Sequence, residues 1–274
     1  MLHVTYAHAV AGASVTTDRQ EGLAQLYAAE RQQKDNLCGC FWATLALRAA
    51  GIDADQDGVA VAAGAILPGG DPQTHVAPGA TPRNDYRVEL PVDSTPGVAG
   101  TAAPGVARAI ENLSQGALAA IPVAGPWTAD AVRALMDAAH GATLIANVRT
   151  GRFWGSHVPP GAVLAHLRGE DVEPTEADWD VGHFVNFAAL VRGPAGDLVV
   201  VRDTYQELGL EGHHLQPPDR VAAALRRDDG QEGGVLAVVE SSAAPVVRER
   251  LEREGFELRH WHNGTPDPEE PPDG

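Results

Sequence analysis

The chain has 274 residues, 44% of them hydrophobic and 21% charged, which excludes a collagen-like, coiled-coil or wholly disordered protein. Its 37 acidic and 20 basic side chains leave a net charge of −17, a field that repels phosphate backbones and anionic lipid, so nucleic-acid and membrane-surface roles are set aside. Only 5% of residues are aromatic, so Ala, Val and Leu must fill the core.

The first residues lack the basic start and apolar centre of a secretory signal. No run reaches the roughly 18 apolar residues needed to span a bilayer, and a cytoplasmic protein is expected. Leu23, Leu26 and Tyr27 stand at i, i+3, i+4 spacing and predict an amphipathic helix over 21–33, interrupted by Asp35-Asn36. A second, apolar helix is predicted from Cys38 to about residue 50, stopped by Gly51. Residues 52–103 are rich in Gly, Pro, Ala and Asp without sustained periodicity. They read as an insertion: a lid, a small β excursion or a poorly ordered segment.

Helices are predicted over 106–118 and 128–140, the second opened by Thr128 and closed by Gly141, and a strand follows over 143–149. Residues 150–180 form a long polar loop, whose Trp154 and Trp179 either line a substrate groove or, the reading preferred, anchor the loop to the core. Strands over 183–191 and 198–202 flank a hairpin turn at 192–197. A helix over 218–227, a strand over 234–240, a helix over 245–254 and a short strand over 256–260 complete the pattern. Residues 265–274, acidic and proline-rich, read as a disordered tail. Helices come first and hairpin-linked strands follow, so the expected class is α+β, with residues 1–264 forming one domain.

The segment Gln32-Gln33-Lys34-Asp35-Asn36-Leu37-Cys38-Gly39-Cys40-Phe41-Trp42 carries the chemistry. It puts a cysteine in the first turn of an apolar helix, where unpaired N–H groups and the helix dipole stabilise a thiolate nucleophile. Gly39 would let a substrate carbonyl approach the backbone. Gln32, six residues before Cys38, would offer an amide to a developing oxyanion beside the Cys38 N–H. The matching base is His183, at the start of a strand, and the hairpin returns Asp203 to its side to orient the imidazole. The plain alternative for the cysteines is packing.

With Gln32, Cys38-Gly39, Gly182-His183 and Asp203 in this order, the chain resembles the papain-like cysteine peptidases. Among them it is most similar to the bacteriocin-processing, double-glycine-leader peptidases and their stand-alone relatives. The resemblance covers about residues 21–51 and 127–205. It implies a papain-like α+β fold, with the nucleophile at the N-terminus of a helix packed on an antiparallel sheet. It also implies thiol-dependent cleavage of a peptide or amide bond by Cys38, His183, Asp203 and Gln32, acting on a peptide or protein substrate without a cofactor or metal. The chain departs from that pattern in its long insertions, in Thr204 where proline is frequent, and in Cys40 after Cys38-Gly39, which makes Cys40 an alternative nucleophile.

Three other readings stay open. The same thioester would serve an acyl transferase or cyclase. The cleft would serve a non-catalytic peptide-binding module. Cys38, Cys40, His260 and His262 would give a Cys-x-Cys plus His-x-His zinc set, although one residue between ligands is tight. His213-His214, flanked by Gly and Pro, reads as a surface pair.

Overall fold

The computed structural model describes residues 13–17, 21–71, 75–173 and 175–268. Seven strands build one antiparallel sheet in the order β4 (Leu118–Val123), β9 (Gly234–Glu240), β5 (Thr143–Arg149), β6 (Gly182–Arg192), β7 (Asp197–Arg202), β8 (His213–Gln216). The seventh, β1 (Ser14–Thr17), pairs with β6 over residues 189–192. β5 pairs with β6 only as far as Phe187, and β7 holds the other edge, so β1 continues the β5 side. A two-stranded parallel ladder, β2 (Leu67–Pro68) with β3 (Val92–Asp93), lies apart. The class is α+β with an antiparallel sheet, as the order of elements leads one to expect.

Both sheet faces are covered, which is why the central strands read as continuous apolar runs. Along β5, Leu144, Ala146 and Val148 enter one core and Ile145 the other. Along β9, Val235, Ala237 and Val239 alternate with Leu236 and Val238 in the same way. The first core is closed by α5 (Ala129–Ala138), α7 (Pro218–Arg226) and α8 (Ala244–Arg253). The second is closed by α1 (Glu21–Glu30), α2 (Cys38–Ala49), α3 (Gln56–Ala63) and α4 (Ala103–Leu113). Among the described residues, no helix is long and apolar enough to cross a membrane.

Local chemistry explains most boundaries. Thr128 accepts the Ala131 N–H at 3.1 Å and opens α5 as expected. The helix expected over 106–118 ends instead at Leu113, where Gln115 (φ 52°) and Gly116 (φ 79°) turn the chain into β4. The expected strand at 256–260 is a single bridge, Ala124 with Glu257.

The two stretches expected to be irregular both contain a helix. The insertion holds α3, capped by Asp55 on the Gly58 N–H at 2.9 Å, besides the small β2–β3 ladder. The 150–180 loop holds α6 (Pro160–Leu167). The start of the acidic tail is docked, not free: Thr265 is buried and Asp267 takes a bidentate contact from Arg108 at 2.9 and 3.0 Å. Residues 269–274 lie outside the described residues.

Candidate active site

The start of α2 meets the start of β6. Leu37 precedes α2 without a side-chain cap, and the first helical bond runs from Phe41 N to Leu37 O at 2.7 Å. The N–H groups of Cys38 and Gly39 therefore have no intrahelical acceptor. Cys38, partly exposed, accepts the Phe184 N–H at its Sγ at 3.4 Å. Next to it, His183 is 2% exposed and close enough for the Cys38 sulfur to act on its charge.

The tautomer of His183 follows from its neighbours. Its Nε2 lies 3.1 Å from Asp203 Oδ1 and 3.2 Å from Thr204 Oγ1. Thr204 donates its own hydrogen to Gln33 Oε1 at 2.5 Å, so its oxygen accepts from His183. Nε2 thus carries a proton, and Nδ1 is left for the sulfur. Tyr205 N–H donates to the same Asp203 oxygen at 3.1 Å.

Electrostatics favour a charged pair. Burial opposes a charged imidazole at His183, but the Asp203 carboxylate and the Cys38 sulfur outweigh it and raise the ring to about 10. Burial likewise opposes the Asp203 carboxylate, yet His183, then His214, hold it well below the ordinary carboxylate range. Cys40 differs entirely. It is fully buried against Thr101 Oγ1 at 3.5 Å, and burial pushes its thiol up to about 12. Position and exposure single out Cys38 as the accessible sulfur.

The structure therefore brings Cys38, His183 and Asp203 together. Gln32 does not join them: its Nε2 donates to Thr81 O at 2.8 Å, towards the insertion. The neighbouring Gln33, buried, is the glutamine tied to the triad, through Thr204 and through Tyr205 Oη at 3.1 Å. Gly39 also plays a different part from the one expected. A Cβ there would lie 2.8 Å from Val106 Cγ2 and 3.2 Å from Phe184 Cδ2, so the missing side chain lets α2 settle against α4 and β6. His260 and His262 are not gathered with the cysteines. Among the described residues no group of three or more His, Cys, Asp or Glu is placed to hold a metal ion.

Further residues surround the triad. Trp154 is buried and anchors its loop, but Trp179 sits at the site, its ring 5.3 Å from His183 and 5.6 Å from Tyr205. The insertion reaches the same place: Val76, Ala77 and Ala80 pack with Tyr205, Leu208 and Trp179. Arg83 O then accepts the Asp35 N–H, the Arg83 N–H donates to Asp35 Oδ1, each at 2.9 Å, and Tyr86 donates to Asp35 O at 2.7 Å. His214, expected at the surface, is 5% exposed in β8 and lies 3.9 Å from Asp203. The only signal for it was the alternation of His214 with Gln216, which the surrounding Gly and Pro disguised.

Residues 18–262 match the model of a family of unknown function, DUF6885. No curated protein matches the chain.

Proposed function

The chain belongs to the DUF6885 family, and we propose that this member is a papain-like, thiol-dependent hydrolase that cleaves a peptide or amide bond. The observation that carries the reading is the buried His183 held between the Asp203 carboxylate and the Cys38 sulfur, at the open start of a helix.

In the acylation step the Cys38 thiolate attacks the substrate carbonyl carbon, and the C=O electron pair moves onto oxygen. The unpaired N–H of Cys38 at the helix start faces the charge that develops. The His183 imidazolium gives its proton to the departing nitrogen as the C–N bond breaks, leaving an amine and a Cys38 thioester. In deacylation His183 takes a proton from water, the hydroxide adds to the thioester carbonyl, and the sulfur leaves as thiolate. A carboxylic acid is released and the charged pair is restored. Asp203 keeps the imidazole in one orientation and balances its charge throughout.

The test is digestion of a diverse peptide mixture, read by mass spectrometry, with wild type, Cys38→Ala and Cys40→Ala. Cleavage by wild type and Cys40→Ala that disappears in Cys38→Ala supports the assignment. Cleavage retained in Cys38→Ala overturns it.

A further inference from the structure

β8 places His214 opposite Val201 and Gln216 opposite Val199, so both side chains share one sheet face, and both are buried. Gln216 Oε1 accepts the Trp154 N–H at 2.7 Å and its Nε2 donates to Trp154 O at 3.0 Å. A backbone N–H needs an acceptor and a carbonyl needs a donor, so this pair fixes the orientation of the amide. The second N–H of Nε2 is directed at His214 Nδ1, 2.9 Å away. Nδ1 therefore accepts, and the ring proton sits on Nε2.

That Nε2 stands 3.9 Å from Asp203 Oδ2. The separation exceeds a hydrogen bond, so the interaction is that of a ring N–H dipole with a charge at a buried site. Asp203 Oδ1 already receives His183 Nε2–H and Tyr205 N–H. The carboxylate thus meets a donor-bearing group on each oxygen.

We propose that His214 is a positioning residue for the triad. Its Nε2–H, set by Gln216, keeps the Asp203 carboxylate oriented toward His183. The proposal rests on the hydrolase reading above. The other groups facing Asp203 are the Tyr27 hydroxyl, which donates to its backbone carbonyl at 2.7 Å, and Tyr205. These bonds go to the backbone carbonyl and to Oδ1, whereas His214 stands beside Oδ2.

The experiment uses the full-length protein and the second-order rate of iodoacetamide alkylation at Cys38 near pH 6, read by intact mass. His214→Gln places an amide N–H where Nε2 was. His214→Asn places it on the Gln216 side, away from Asp203. His214→Phe keeps the ring volume beside Phe153 and removes both nitrogens. The expected result is a rate within about threefold of wild type for Gln and about tenfold slower for Asn and Phe, the loss that one pKa unit in the charged pair represents. Asn and Gln are both polar replacements in one pocket, so a purely structural role would slow them alike and lower their melting temperatures alike. Equal rates in the Asn and Gln variants overturn the proposal. So does a wild-type Cys38 no faster than free cysteine, which overturns the hydrolase reading with it. If Phe fails to fold, the Asn and Gln pair decides.

Discussion

Phe184 donates its backbone N–H to Cys38 Sγ at 3.4 Å, and the residue before it is His183. One dipeptide at the start of β6 therefore supplies both the proton-carrying ring and a hydrogen bond to the sulfur. The register of β6 against β5, with His183 opposite Val148 and Phe184 opposite Asn147, fixes that dipeptide in the sheet. The position of the nucleophile then depends on how closely α2 packs upon it.

Gly39 controls that closeness. Gly39→Ala would gain about 1 kcal/mol of helix propensity. Against this, its Cβ overlaps Val106 Cγ2 and presses on the Phe184 ring, an overpacking that typically costs about 1–3 kcal/mol. The expected outcome is a lower melting temperature and slower alkylation of Cys38, because the displaced Phe184 carries the N–H on the sulfur. Thermal melts and alkylation rates on the same variant check both.

Lys34, the one lysine of the chain, pins the insertion beside the site. Its Nζ bonds Asp57 Oδ2 at 2.7 Å and Asp85 O at 2.6 Å, with both Lys34 and Asp57 buried. Removing one partner of a buried pair costs about 3–5 kcal/mol. Arg87, at 2.9 Å from the same Asp57 oxygen, retains part of the compensation, so Lys34→Met is expected at the lower end, about 3 kcal/mol. Chemical denaturation measures it, and limited proteolysis should cut the 75–87 stretch first in the variant.

The raised His183 sets the alkaline limit. A group whose folded value lies above its unfolded value stabilises fully below the unfolded value, here about 6.5, and loses that contribution as the pH climbs through about 10. Asp203 behaves in the opposite sense: its contribution is complete above the ordinary carboxylate range and disappears as the pH falls well below it. Melting temperature should decline between pH 7 and 10 in wild type, with a flatter profile in His183→Ala. Peptide cleavage, which needs the imidazolium of the folded protein as proton donor, should hold near neutral pH and decline only as the pH climbs through about 10.

The parts of the fold legible in sequence were those whose signal is local. β5 and β9 read to the residue because both faces are buried and the apolar run is nearly continuous, interrupted in β5 only by Asn147 between Ala146 and Val148. The hairpin between β6 and β7 read correctly because Gly193, Pro194 and Gly196 mark its turn, and it alone brings Asp203 to His183. α3 was hidden in a Gly- and Ala-rich stretch whose helical register depends on packing against α4. β8 is four residues long and three of them are polar. Its burial depends on Trp154 and Asp203, far away in the chain. Gln32 and Gln33 are adjacent and chemically identical, and only the backbone bond from Gln33 N to Thr204 O decides which faces the triad.

The central claim is that Cys38 is an activated thiolate paired with His183. Intact-mass spectrometry after brief iodoacetamide treatment, at pH 5.5 and 7.5, tests it most directly on wild type, Cys38→Ser, Cys40→Ser and His183→Ala. The account predicts fast single labelling at both pH values in wild type and Cys40→Ser, none in Cys38→Ser, and slow labelling at pH 5.5 in His183→Ala. Slow or absent labelling in wild type, or labelling that survives in Cys38→Ser, would contradict it.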